Sequence, residues 1–121
     1  MTRALVGILA GLLLGSFALS APPPESWKIV RGKAVHDLFE GRELGDGVHY
    51  AYRFRADGTF AGTEMGRDVR GTWRVSGSEI CWTWIRPRGA EECYAVRIRG
   101  SEASLLRNGV EQWYGTLKPA R

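Results

Sequence analysis

The sequence predicts an all-β domain, a small antiparallel meander of seven to eight strands forming a barrel or curled sheet, preceded by one short helix. Three observations carry this prediction. From Val48 onward apolar residues alternate with polar ones, which is the period of a half-buried strand and not of a helix. Turn signals at Asp57-Gly58, Ser76-Gly77-Ser78, Gly100 and Asn108-Gly109 recur at the short spacing of hairpin-connected strands. One stretch, residues 33–40, instead repeats apolar residues at helical spacing through Ala34, Val35, Leu38 and Phe39, between Gly32 and Gly41.

The chain opens with Thr2 and Arg3, runs uncharged and apolar from Ala4 to Gly15, and offers small residues in Ala18-Leu19-Ser20 before Ala21-Pro22-Pro23-Pro24. This is the layout of a secretory signal peptide over residues 1–20, with cleavage after Ser20. A Pro-rich extended linker over residues 21–26 follows, and residues 27–121 form a single β domain. The apolar run falls short of the roughly 20 residues that a membrane-spanning helix needs, and no basic cluster follows it. The expected product has no stable membrane anchor after cleavage and resides in the periplasm or is secreted.

Within the domain, Trp27-Lys28-Ile29-Val30 is a short extended segment ahead of the helix. Tyr50, Tyr52 and Phe54 then share one face against Ala51, Arg53 and Arg55, and Asp57-Gly58, read as a two-residue turn, leads into Thr59-Phe60-Ala61. A polar turn around Gly66-Arg67-Asp68 leads to residues 71–75, with Trp73 and Val75 on one face. Residues 80–85 and 91–98 flank the loop Arg86-Pro87-Arg88-Gly89, and residues 103–107 turn at Asn108-Gly109 into residues 110–117.

A hairpin folded about Pro87 places Cys81 opposite Cys93 and Ile80 opposite Tyr94, with Trp84 against Ala90, Thr83 against Glu91 and Ile85 against Gly89. Two directly opposed cysteines in an exported chain form a structural disulfide, and their separation is not that of a redox or zinc motif.

Without the leader the chain keeps 16 basic and 13 acidic residues, a mild positive balance, and its arginines are spread through the strands and not gathered in a run. That is the pattern of solvated faces, so no nucleic acid is expected as a partner. His36 and His49 are the only histidines, and neither stands beside a nucleophile or ligand set, so both read as surface residues. Glu40, Glu43 and Asp46 offer oxygen ligands between the helix and the first long strand, in a spacing that fits no known cation loop. No catalytic residue, metal ligand set or cofactor is therefore predicted, and the chain does not read as an enzyme.

The aromatic residues are the informative set. By alternation Tyr52, Phe54, Trp73, Trp82, Trp84, Tyr94 and Trp113 line the inside of the sheet, where they either fill a core or line a ligand cavity at one barrel end.

The helix ending in Leu38-Phe39-Glu40-Gly41, the turn Asp57-Gly58-Thr59, Gly71-Thr72-Trp73 and the cysteines of Ile80-Cys81-Trp82 and Glu92-Cys93-Tyr94 resemble a group of small exported bacterial proteins of unknown function with a lipocalin-like, or calycin-like, β-barrel. The resemblance covers about residues 30–100 and implies an exported β domain with a disulfide, not an activity. The function expected is non-enzymatic: binding a small apolar or aromatic ligand, or serving as an envelope accessory. The alternative is a protein–protein interaction module, an inhibitor or complex subunit acting through loops such as Arg86-Pro87-Arg88.

Overall fold

The structure, a computed structural model, describes residues 25–120 together with residues 2, 4, 7 and 10–16. The expected cleavage point after Ser20 and the prolines at 22–24 lie outside the described residues. Of the expected leader, Leu12, Leu13 and Leu14 are fully accessible to solvent.

Among the described residues the chain forms β1 (Lys28–Val30), α1 (Lys33–Phe39), β2 (Arg42–Gly45), β3 (Tyr50–Phe54), β4 (Thr59–Glu64), β5 (Arg67–Ser76), β6 (Glu79–Arg86), β7 (Glu92–Arg99), β8 (Glu102–Arg107) and β9 (Val110–Pro119). From β2 to β9 each strand pairs antiparallel with the next, and β2 also pairs with β9, which closes an eight-stranded up-and-down barrel. Closure removes the unpaired strand edges that an open meander would leave to solvent. β1 is an extra strand. It pairs with β7 from Val30↔Val96 onward, just where the β6–β7 ladder ends at Glu79↔Ala95.

Alternation decides what lies inside. On β3, Tyr50, Tyr52 and Phe54 are buried while Ala51 and Arg53 stand partly exposed outside, and on β5 Val69, Gly71 and Trp73 repeat the pattern. Inward glycines make room for the rings. A Cβ on Gly71 would lie 2.5 Å from the Phe60 ring, and one on Gly115 would lie 2.6 Å from the Tyr50 hydroxyl. At the β8–β9 turn Asn108 and Gly109 both take positive φ, 51° and 75°, as a tight primed turn between twisted strands requires.

The predicted cysteine register is the observed one: Ile80↔Tyr94, Cys81↔Cys93 and Trp82↔Glu92. Cys81 and Cys93 form a disulfide. Beyond Trp82↔Glu92 the ladder opens, so the expected pairs of Thr83, Trp84 and Ile85 with Glu91, Ala90 and Gly89 do not form. At that point β6 carries an extra residue against β5, between Gly71↔Trp84 and Arg70↔Arg86, and such a bulge bends the strand away from its other neighbour.

Three smaller expectations are corrected. Asp57-Gly58 is not a two-residue turn, because the connection from Phe54 to Thr59 takes in residues 55–58, with Gly58 at φ 84°. The turn before β5 is Met65-Gly66, so Arg67 and Asp68 already belong to the strand. Residues 42–45, read as part of an acidic connection, form β2. This strand holds a single buried apolar residue, Leu44, and is ordered by its neighbours through Leu44↔Tyr52 and Leu44↔Leu117.

Candidate binding site

The two ends of the barrel differ. Helix α1 covers the end that carries the β3–β4 and β5–β6 turns. Its Gly32 amide donates to Ser78 Oγ (3.0 Å), Val35 and Phe39 are buried, and Phe39 meets Phe54 edge-on at 5.2 Å between ring centroids. His36 stacks on Trp73 at 5.2 Å, and Trp73 Nε1 donates to the Arg55 carbonyl (2.8 Å). Phe54 and Trp73 are thus core residues under the helix, closed off from that end.

Among the described residues the opposite end, with the connections 46–49, 65–66, 87–91 and 108–109, carries no helix. Here the interior is a stack of rings. Tyr52 lies within 4.9–6.2 Å of Tyr50, Phe60, Trp82, Trp84 and Trp113, centroid to centroid. Tyr52 and Trp82 are buried, and Trp84 and Trp113, half-buried, flank them toward the mouth. The rings therefore pack on one another through the middle of the barrel, with Trp84 and Trp113 each against both Tyr52 and Trp82.

Polar groups at this end divide into satisfied and unsatisfied. Tyr50 Oη donates to the Tyr114 carbonyl (2.5 Å). Tyr94 Oη donates to the Glu92 carboxylate (2.6 Å) and accepts from Arg107 (3.2 Å), whose guanidinium also lies over the Tyr94 ring. Burial, then the hydrogen bond to Glu92, pushes the Tyr94 phenol up to about 12. In contrast, Tyr52 Oη and Trp82 Nε1 are buried inside the barrel without a hydrogen-bond partner. Burial and then the Glu64 carboxylate, which attracts the hydroxyl without meeting it in hydrogen-bond geometry, hold the Tyr52 phenol well above its ordinary range, so it stays a neutral donor.

No family model, curated protein or solved structure matches this chain. Its chemistry is therefore read from this geometry.

Of the predicted lining residues, the structure brings Tyr52, Trp82, Trp84, Tyr94 and Trp113 together at the open end and leaves Phe54 and Trp73 at the helix end. Glu64, Glu92 and Arg107 join the mouth and were not singled out from the sequence. Extending the inward alternation of Phe60 and Gly62 to Glu64, and of Val96 and Tyr94 to Glu92, would have found the two acids.

The other candidates are occupied structurally. Asp46 accepts from the backbone amides of Val48 (2.9 Å), His49 (2.6 Å) and Tyr50 (3.2 Å) and pairs with the His49 ring (2.6 Å). Desolvation raises its carboxyl, and these hydrogen bonds outweigh that and hold it below the usual carboxylate range. Glu43 pairs with Lys118 and Glu40 with His36, so the three acids do not converge. Asp57 accepts from the Thr59 amide and hydroxyl within its own turn.

Proposed function

We propose that this is an exported, non-enzymatic binding domain that takes a small, flat, largely apolar ligand at the open barrel end. The ligand class is a ring compound bearing a hydrogen-bond acceptor. One observation carries the reading: two buried side-chain groups without partners, Tyr52 Oη and Trp82 Nε1, lie on an aromatic floor between Trp84 and Trp113. Buried polar groups are nearly always paired, and an unpaired one costs about 1–3 kcal/mol. A ligand oxygen received by these two donors offsets that cost. The flanking rings supply stacking area, and Arg107 with Glu92 forms a polar rim.

The disulfide fits an oxidising, non-cytoplasmic compartment, and among the described residues no helix is long and apolar enough to cross a membrane. In this reading the domain is exported to the periplasm or beyond and serves there as a carrier or envelope accessory.

Native mass spectrometry of the protein isolated from its own compartment tests this reading. The expected result is a retained small molecule that is lost in Trp84→Ala and Trp113→Ala variants; a bare polypeptide mass contradicts it. A retained protein would instead favour the interaction reading, to which exposed Met65 and Ile85 beside the Arg86-Pro87-Arg88 loop lend support.

A further inference from the structure

The outer wall of the barrel carries a feature independent of the mouth. Strand register sets Arg53, Ala61, Arg70 and Arg86 in one row across β3, β4, β5 and β6, through Arg53↔Ala61, Ala61↔Arg70 and Arg70↔Arg86. At a strand spacing of about 4.8 Å the row is about 14 Å long. Arginines that are scattered in the sequence are thus collected by the closed sheet.

The cross-strand register separates this row from an ordinary solvated face. Arg74, Arg97, Arg99 and Arg107 each pair with a glutamate, and of the eight other described arginines, none of which forms an ion pair among the described residues, Arg53, Arg70 and Arg86 are the ones this register gathers. Arg70 and Arg86 also stand directly opposite each other, an arrangement that like charges disfavour unless a counter-charge lies between them. The three line a depression of about 370 Å³ together with Ala61, Gly62, Val69 and one carboxylate, Asp68, which the three guanidinium groups outnumber. The row of free positive charge is bounded, because Glu43 stands opposite Arg53 on β2 and the next residue along, Lys118 on β9, is paired with Glu43.

We propose that this depression binds a small soluble compound carrying two or more phosphate groups. Guanidinium forks match phosphate oxygens bidentately, so one phosphate bridges Arg70 and Arg86 and a second reaches Arg53 across the small Ala61 side chain. The short, bounded row favours a compact ligand over a polymer.

Isothermal titration with inorganic tripolyphosphate, set against orthophosphate, tests the proposal on the intact disulfide-bonded domain. The expected result is one site per chain, with tripolyphosphate bound at least about tenfold more tightly than orthophosphate. Each of Arg70→Gln and Arg86→Gln weakens it at least about tenfold, the loss of a charge-assisted hydrogen bond. Arg31→Gln, an exposed arginine outside the row, leaves it within about twofold of the parent. Melting temperatures report folding: Arg70→Gln removes a like-charge contact and keeps or raises the parent's value. No binding, equal losses in all three variants, unchanged affinity in the Arg70 and Arg86 variants, or binding confined to long polyanions would each overturn it.

Discussion

Replacing Tyr52 with Phe removes one oxygen from the centre of the barrel and leaves the ring. The side chain is fully buried, its ring touches those of Tyr50, Phe60, Trp82, Trp84 and Trp113, and its hydroxyl has no hydrogen-bond partner. Because the packing is kept, the change in stability isolates the hydroxyl. An unpaired buried polar group costs about 1–3 kcal/mol, and the lower end applies here because the Glu64 carboxylate partly compensates the hydroxyl. Tyr52→Phe is therefore expected to stabilise the ligand-free domain by about 1 kcal/mol, which raises the melting temperature of a domain this size by about 4–8 °C. The same variant should bind an acceptor-bearing ligand more weakly, since it has lost one of two donors. The assay is calorimetry together with urea unfolding of protein refolded free of small molecules, with an unchanged urea slope confirming that the same surface is exposed. A loss of stability of 1 kcal/mol or more would mean that the hydroxyl is hydrogen-bonded, and the reasoning from an unpaired donor would be refuted.

Other outcomes follow from the same geometry. Replacing both Cys81 and Cys93 with Ser opens a loop spanning a sequence separation of 12 and should cost about 3 kcal/mol, read as a fall in urea midpoint equal to that of the reduced parent. Gly71→Ala puts a methyl group 2.2 Å from the Thr83 carbonyl oxygen and 2.5 Å from the Phe60 ring, so calorimetry should show a loss of about 1–3 kcal/mol, and an unchanged melting temperature would mean that β5 lies elsewhere. The Tyr94 phenol, pushed up to about 12 by burial and Glu92, has an unfolded-state value near 10. The native state thus holds this proton more tightly. The resulting stability is complete below pH 10 and is lost as the pH rises toward 12, so urea midpoints should fall across that window, and less steeply in Tyr94→Phe.

Much of the fold was legible because strands with one buried face write their period into the sequence. Tyr50-Tyr52-Phe54 alternates without a break with Ala51 and Arg53, and the opposed cysteines specify the β6–β7 register as far as Trp82↔Glu92. Closure was not legible. It depends on β2, whose single buried apolar residue, Leu44, carries no period and becomes a strand by pairing with β3 and β9. The site was half visible. The ring residues announced themselves, but which end of the barrel is open depends on where α1 docks, and Phe54 and Trp73 fell under the helix for that reason. Glu64, Glu92 and Arg107 stayed hidden because charged residues near strand ends read as solvent-facing until the sheet closes around them. The arginine row on the outer wall was equally invisible, since its members lie on different strands and meet only through register.

The central claim is that the open end recognises a flat apolar ring through donors on Tyr52 and Trp82. Its most direct test is a comparison of two probes of equal shape, acetonaphthone and ethylnaphthalene, followed through the indole N–H resonances of the tryptophans. Acetonaphthone should bind at least about tenfold more tightly, the worth of one buried hydrogen bond, and should move the Trp82 indole signal while that of Trp27, on the outer wall beside Arg97 and Arg99, stays in place. Equal affinity for the two probes, or a Trp82 signal that does not move at saturation, would contradict the account.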